Sequence, residues 1–153
     1  MRHAKALVGS GLAALICLVL VMPAFAQDTG DQAEIRQTLK QIFVKADDPL
    51  SLDPIVVEAD AAIVGWVQGS LAGRAFLRKR NGQWSIVACG GDALKNAEKL
   101  RALGLDRALA AALAGKLTAA EKVIDPSRVA LFSSFDGVVV MGHETAAPAH
   151  ARQ

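Results

Sequence analysis

Apolar positions form one continuous block at the start of the chain and two different repeating patterns after it. Residues 1–26 place two basic residues before an apolar run from Gly11 to Met22 and end on Ala24-Phe25-Ala26. This arrangement is typical of a secretory signal peptide, because the apolar run is too short for a membrane span and a small-residue cleavage pattern follows it. We therefore expect cleavage after Ala26, a periplasmic protein, and no membrane span in the mature chain.

The first repeating pattern has the period of a helix. Four apolar residues are spaced to share one helix face: Ile35, Leu39, Ile42 and Phe43. Asp31, with a glutamate three residues later, provides a capping start. The sequence predicts an amphipathic helix that ends near Ala46.

The second pattern has a period of two and is broken by turn signals. The breaks fall at Ala59-Asp60, Gly69-Ser70 and Asn81-Gly82, and Asn-Gly is a strong hairpin signal. These breaks predict a four-stranded antiparallel meander. Counting outward from the turns places Trp66 opposite Gly73. The same count places Leu77 opposite Ile86, Ala75 opposite Ala88, and Arg74 opposite Cys89.

Alternation along these strands assigns one face of the sheet to the core. That face carries Val64, Trp66, Ala75, Leu77, Trp84, Ile86 and Ala88. The opposite face is mixed and carries Arg74, Phe76, Arg78, Ser85, Val87 and Cys89. We expect both tryptophans to be largely buried and Arg78-Lys79-Arg80 to form a solvated hairpin end.

Helical spacing returns after the strands, with a capping residue before each segment. Asp92 is the predicted cap of a helix over residues 93–103, and Asp106 of an alanine-rich helix that ends near Ile124. Asp125-Pro126 begins a third helix, which runs through Phe132. The apolar run from Gly137 to Met141 predicts a final strand.

Together these elements predict an α+β fold. It comprises an N-terminal helix, a four-stranded antiparallel β-meander, C-terminal helices and a short final strand. Residues 27–141 form one predicted domain, and residues 142–153 form a flexible C-terminal tail.

Charge and cysteine usage narrow the possible partners. The signal segment carries two of the 17 Lys and Arg residues, so the mature chain balances its 15 acidic residues. A balanced domain has no basic surface for nucleic acid. Cys17 leaves with the signal segment, so Cys89 has no partner for an intramolecular disulfide.

No set of residues points to catalysis. A Ser-His-Asp set is excluded within the domain because the mature chain has histidines only in its tail, and neither a phosphate loop nor a paired CxxC spacing occurs. Gly90-Gly91-Asp92 reads as a tight turn with a helix cap rather than a phosphate site. We expect a protein that is not an enzyme.

The end of the chain carries the candidate metal ligands. Met141, His143 and His150 are the only methionine and histidines of the mature chain, and thioether and imidazole are ligands that copper accepts. The alternative is that Met141 ends a core strand and both histidines are solvated. Cys89 ranks behind these three: a neighbouring Arg74 would lower its thiol pKa, but a free cysteine usually acts as a small buried hydrophobe.

Three phrases support a family resemblance. They are Gly-Trp-Val-Gln-Gly at residues 65–69, Gly-Arg-Ala at residues 73–75 and Cys-x-Gly-Asp at residues 89–92. From Ala33 to Met141 the chain resembles a family of small exported bacterial proteins described as copper uptake system-associated proteins. The resemblance implies a periplasmic role beside copper importers. Members often end in a His-rich tail, and the two histidines of this tail fit weak rather than tight copper binding.

The predicted function is that of a periplasmic accessory protein of copper uptake. It would bind copper weakly or act as a partner of copper-transport proteins of the cell envelope. The alternative is a noncatalytic interaction or small-molecule-binding module with an apolar pocket near Trp66 and Trp84. An enzyme built on Cys89 is a third hypothesis.

Overall fold

The computed structural model describes residues 30–43 and 48–141, which form helices on both sides of an antiparallel sheet. Helix α1 (Gly30–Ile42) precedes the four strands of the meander. These are β1 (Ser51–Glu58), β2 (Ala61–Gln68), β3 (Leu71–Arg80) and β4 (Gln83–Gly90). The predicted α+β class, with its N-terminal helix and antiparallel meander, is confirmed.

The C-terminal half is helical until its last strand. A short 3₁₀ helix (Asp92–Lys95) leads into α2 (Ala97–Ala102), α3 (Arg107–Glu121) and α4 (Pro126–Ser133). Strand β5 (Val138–Val140) then pairs antiparallel with β4, so the sheet order β1-β2-β3-β4-β5 repeats the order of the chain. None of the helices described here is long and apolar enough to cross a membrane.

Turn chemistry sets most of the register. Asn81 and Gly82 both have positive φ, 50° and 78°, as a type I′ hairpin turn requires. The predicted pairing of Trp66 with Gly73 across β2 and β3 is confirmed. The pairing of Leu77 with Ile86 across β3 and β4 is also as counted from the turn.

A β-bulge shifts the pairing of β3 with β4 by one residue on the far side of Leu77 from the turn. Phe76 pairs with Ala88 while the next residue, Leu77, pairs with Ile86, so Val87 is an extra residue on β4. Ala75 therefore lies opposite Cys89, and the predicted pairings of Ala75 with Ala88 and of Arg74 with Cys89 are wrong. Because one residue is inserted, Cys89 moves to the face that α1 covers and Ala88 moves away from it.

Both faces of the sheet are buried, so the assignment of the core to a single face is also wrong. The α1 side joins Ile35 and Leu39 to sheet residues such as Val64, Leu77 and Trp84. On the other side Phe76, fully buried, packs under leucines of α2 and α3. The sheet therefore lies between two helical layers and has two hydrophobic cores.

The two tryptophans differ in burial. Trp84 is only 4% exposed, as predicted, and its Nε1 donates to Asp31 Oδ1 at 3.2 Å. Trp66 is partly exposed, in contrast to the prediction. It lies three residues before Gly69 of the β2–β3 turn, where Phe43 and Phe135 pack against it without covering it completely.

The helix caps follow the sequence at α3 and α4, whereas Asp31, the predicted capping start of α1, lies inside that helix and accepts from Lys79 and Trp84. Asp106 and Asp125 accept hydrogen bonds from Leu109 N and Ser127 N, as predicted for the caps of α3 and α4. The prediction for Asp92 is wrong, because Asn96 caps α2. The side chain of Asp92 makes a tertiary contact instead.

The basic run at the β3–β4 turn is less solvated than predicted. Arg78 Nη2 lies 2.6 Å from Asp60 Oδ2, and Arg78 Nη1 donates to Gly104 O at 3.3 Å. Lys79 Nζ lies 2.6 Å from Asp31 Oδ1 and above the Trp84 ring. These two side chains therefore hold the hairpin against helical elements on opposite faces of the sheet.

Candidate functional site

Met141 directly follows strand β5. Its backbone N–H donates to Val87 O at 2.8 Å, which extends the β4–β5 pairing to the bulge. The residue remains 38% exposed. The backbone of Met141 is therefore fixed to the sheet while its thioether group is partly open to solvent.

The other predicted ligands of the tail lie outside the described residues. His143 and His150 belong to the segment 142–153, so their relation to Met141 stays a prediction. Among residues 30–43 and 48–141, no group of three or more His, Cys, Asp and Glu side chains gathers in a way that could hold a metal. The copper hypothesis therefore depends on Met141 together with the tail.

Cys89 lies in the α1-side core rather than beside Arg74. It pairs with Ala75 on one side and with Val139 of β5 on the other. Burial raises the pKa of its thiol to about 11. This shift is opposite to the one that a reactive or metal-binding cysteine needs, because the thiolate is the reactive form.

Trp66 forms one wall of a cavity of about 330 Å³ on the α1 side of the sheet. Phe43 stacks on Trp66 with ring centroids 6.4 Å apart, and Phe135 meets it edge-on at 6.3 Å. Leu71 and Val139 add apolar surface to the cavity. Trp84 does not line it, so the predicted pocket exists near Trp66 alone.

A buried glutamine supports this aromatic group. Gln68 Nε2 donates to the backbone oxygens of Phe43 and Asp48 at 2.9 Å each. These two residues flank the connection between α1 and β1, so Gln68 holds the end of α1 close to the β2–β3 turn. The arrangement explains why a polar residue is buried there, since its amide satisfies two backbone acceptors.

The least expected feature is a buried ion-pair network centred on Arg74. The fully buried guanidinium donates to both carboxylate oxygens of Glu121, at 2.6 and 2.9 Å, and to Asp92 Oδ1 at 3.2 Å. Lys95 Nζ lies 3.2 Å from the same glutamate. The hydrogen bond from Ser133, followed by the charge of Arg74, lowers the pKa of the Asp92 carboxyl. The network joins β3 to three helical segments.

Sequence reasoning missed the Arg74–Glu121 pair, although one signal was present. Leu113, Leu117 and Glu121 follow each other at intervals of four residues, which places a carboxylate on the buried stripe of α3. A charge at such a position requires a buried partner. An arginine within an apolar strand was the matching candidate.

Three glycines of the resemblance phrases allow the C-terminal segment to approach the sheet. A Cβ atom at Gly65 would lie 2.7 Å from the Phe132 ring, and one at Gly73 would lie 2.9 Å from the Phe135 ring. A Cβ atom at Gly91 would collide with the backbone oxygen of Phe135. The phrases therefore have a packing role: they accommodate α4 and the connection to β5.

Strand β5 leaves apolar side chains exposed at its edge of the sheet. Val140 is 61% exposed, and Val138 and Val139 are also exposed. Within the described part of the chain only β4 pairs with β5. An edge strand with open backbone groups and apolar side chains can pair with an additional strand.

Comparison with known proteins identifies no relative of this chain. No protein-family model matches the chain, and neither a curated protein nor a solved structure shows significant similarity to it. The resemblance carried by the three phrases stays a prediction, and a function has to be inferred from the arrangement of the described residues.

Proposed function

We propose that the protein is a noncatalytic periplasmic accessory protein of copper uptake that binds copper weakly. Met141, His143 and His150 would supply the ligands, and copper-transport proteins of the cell envelope would be its partners. The observation that carries the proposal is the position of Met141. Its backbone N–H donates to Val87 O, its side chain is exposed, and His143 follows it two residues later in the sequence.

The chemistry of these side chains favours copper over other metals. A thioether is a soft ligand that suits Cu(I), and imidazole suits copper in either oxidation state. A thioether also needs no deprotonation, whereas the thiol of Cys89, whose pKa is raised to about 11, does. If residues 142–153 form the flexible tail that the sequence predicts, copper binding has to order that tail, so weak binding is expected.

A copper titration of the mature protein tests the ligand set. Cu(I) affinity is measured by competition with a chromophoric chelator for the full mature chain, for a chain without residues 142–153, and for Met141→Leu. We expect the truncation to abolish binding and Met141→Leu to weaken it about tenfold, which corresponds to about 1.4 kcal/mol. Cys89→Ala is the control and should bind like the unaltered protein.

The outcomes separate the parts of the proposal. Equal copper binding by the truncated chain would move the site to Cys89 or elsewhere in the domain. No binding by either form would leave only a role as partner of the transport machinery.

A second candidate is a noncatalytic interaction module, and the exposed edge of β5 favours it. An extended segment of a partner protein would add a strand beside Val138–Val140, with its backbone groups paired to the open edge. The occupant that fits is an extended apolar segment, because all three side chains of β5 are exposed valines.

Edge substitution tests this candidate. Val140→Lys places a charge on the edge, while Val123→Lys changes a side chain that is 87% exposed beyond the end of α3. In a strain that lacks the native protein, we expect Val140→Lys alone to abolish copper-dependent growth while copper binding in vitro is unchanged. Full activity of Val140→Lys would exclude the β5 edge as the contact surface.

A further inference from the structure

We propose that the cavity beside Trp66 binds a small organic cation, such as a quaternary ammonium group. The inference is separate from copper binding and rests on the walls, the charge and the size of the cavity. Its volume of about 330 Å³ is at the lower end of the range for small-molecule sites.

Two aromatic rings form a corner of the cavity. The rings of Trp66 and Phe135 stand at 79° to each other, with centroids 6.3 Å apart. Perpendicular rings present more than one π surface to a group in the corner, and a cation is attracted to the negative face of such rings. Gly73 makes the corner possible, because a side chain there would collide with Phe135.

The charge of the lining selects a cation rather than an anion. Asp136 contributes to the cavity and is exposed to solvent. Among residues 30–43 and 48–141, Ser70 and Ser134 are the other polar side chains in the lining, and no basic side chain of these residues contributes to it. One carboxylate beside apolar walls is too few ligands for a metal ion, but it complements a single diffuse positive charge.

The apolar part of the lining favours a methylated cation over a hydrated one. Leu71 and Val139 are both exposed large hydrophobic residues, and they face the cavity together with the two rings. Methyl groups bury apolar area against such surfaces, whereas a primary ammonium keeps a strong hydration shell. The expected ligand is therefore compact, methylated and positively charged.

The test compares choline with its uncharged carbon analogue, 3,3-dimethylbutan-1-ol, on the ¹⁵N-labelled mature protein without copper. The chain has two tryptophans, so two indole N–H resonances report on two places. We expect choline to shift the Trp66 resonance and leave Trp84, which is buried under α1, unchanged. The uncharged analogue should bind about fivefold more weakly, as the loss of a cation–π contact implies.

Two variants that each remove one negative charge test the role of the Asp136 carboxylate. Asp136→Asn should weaken choline binding about threefold, because an exposed carboxylate contributes modestly. Asp106→Asn removes the same charge at the start of α3, where asparagine also caps a helix, and should leave the affinity unchanged.

Three results would overturn the inference. The first is equal affinity for choline and the uncharged analogue, and the second is an equal effect of the two Asp→Asn variants. The third is tighter binding of Nα-acetyl-lysine amide than of choline, which would assign the cavity to a basic side chain of a protein partner. Because no copper is present, none of these results depends on copper binding.

Discussion

Cys89 and Met141 illustrate how position decides what a sulfur atom can do. Cys89 is buried between Ala75 and Val139, and burial raises the pKa of its thiol to about 11. Met141 is exposed, and its thioether needs no deprotonation to bind a metal. At neutral pH the thioether can therefore act as a ligand without losing a proton, whereas the thiol of Cys89 cannot.

Thiol labelling checks the state of Cys89. At pH 8 a thiol with a pKa near 11 is ionised in about one molecule per thousand. We expect iodoacetamide to modify the native protein far more slowly than glutathione at the same pH, and to modify it fully in guanidinium chloride. A native rate equal to that of glutathione would mean that the thiol is accessible and ionised.

The two tryptophans should differ in their contribution to stability. Trp84→Ala removes a buried ring and should lower the free energy of unfolding by about 3–5 kcal/mol. Trp66→Ala removes a partly exposed ring and should cost about 1–2 kcal/mol. Denaturant midpoints of both variants provide the measurement, and equal losses would contradict the difference in burial.

At the scale of elements, α4 and the turn after it contact the sheet through a few side chains that lie very close to its glycines, rather than through a large apolar face. Phe132 lies over Gly65, and both Arg74 and Arg128 place their guanidinium groups near its ring, at 5.5 and 5.7 Å. Phe135 lies over Gly73. The segment can occupy this position only while those glycines have no side chain.

Two Gly→Ala substitutions test this account. At Gly65 a methyl group would lie 2.7 Å from Phe132 and 2.9 Å from the backbone oxygen of Asp53, and overpacking of this kind costs about 1–3 kcal/mol. Gly115 lies within α3 with nothing near its Cα hydrogens, so Gly115→Ala should stabilise the protein by about 0.5–1 kcal/mol. Thermal unfolding of both variants should show opposite shifts, and a neutral Gly65→Ala would contradict close packing of α4.

Local sequence signals predicted the elements better than their contacts. The Asn81-Gly82 turn, the caps at Asp106 and Asp125 and the Gly137–Met141 strand depend on neighbouring residues, so each could be read from the sequence. The bulge at Val87 could not, because strict alternation cannot anticipate an inserted residue. One residue then changed the predicted surroundings of Cys89.

In the candidate sites, too, single residues could be predicted from the sequence, but their contacts with distant residues could not. Met141 could be selected from residue type alone, and the cavity was anticipated near Trp66. Its other walls could not be anticipated, because Phe135 reaches Trp66 only after three helices have packed. The buried partners Arg74 and Glu121 are 47 residues apart, and tertiary packing alone brings them together.

At the scale of the whole molecule, the Arg74 network connects the sheet with the C-terminal half. Its partners come from the 3₁₀ helix and the end of α3, and Ser133 of α4 donates to Asp92. A buried ion pair offers little net stability compared with apolar residues, but loss of one partner is costly because the other charge stays buried. The network therefore makes the correct arrangement of these elements a requirement for folding.

Removal of one charge measures this requirement. Glu121→Gln leaves Arg74 buried with only the exposed Asp92 as a charged partner, and should lower the free energy of unfolding by about 3 kcal/mol. Lys95→Met removes the more exposed cation beside the same glutamate and should cost less than about 1 kcal/mol. Urea denaturation of the two variants provides the comparison, and similar losses would mean that the buried charge is compensated elsewhere.

The strands lie in the sheet in the same order as in the chain, and this order affects how the sheet can form during folding. Each strand pairs with the one before it, so the sheet can grow by successive hairpins and no strand has to wait for a distant partner. A chain that emerges N-terminus first can therefore begin to build its sheet before its last helices are available. We expect the addition of α4 and β5 over Gly65, Gly73 and Gly91 to be the final step, which would bring Met141 to the edge only when the rest of the domain is in place.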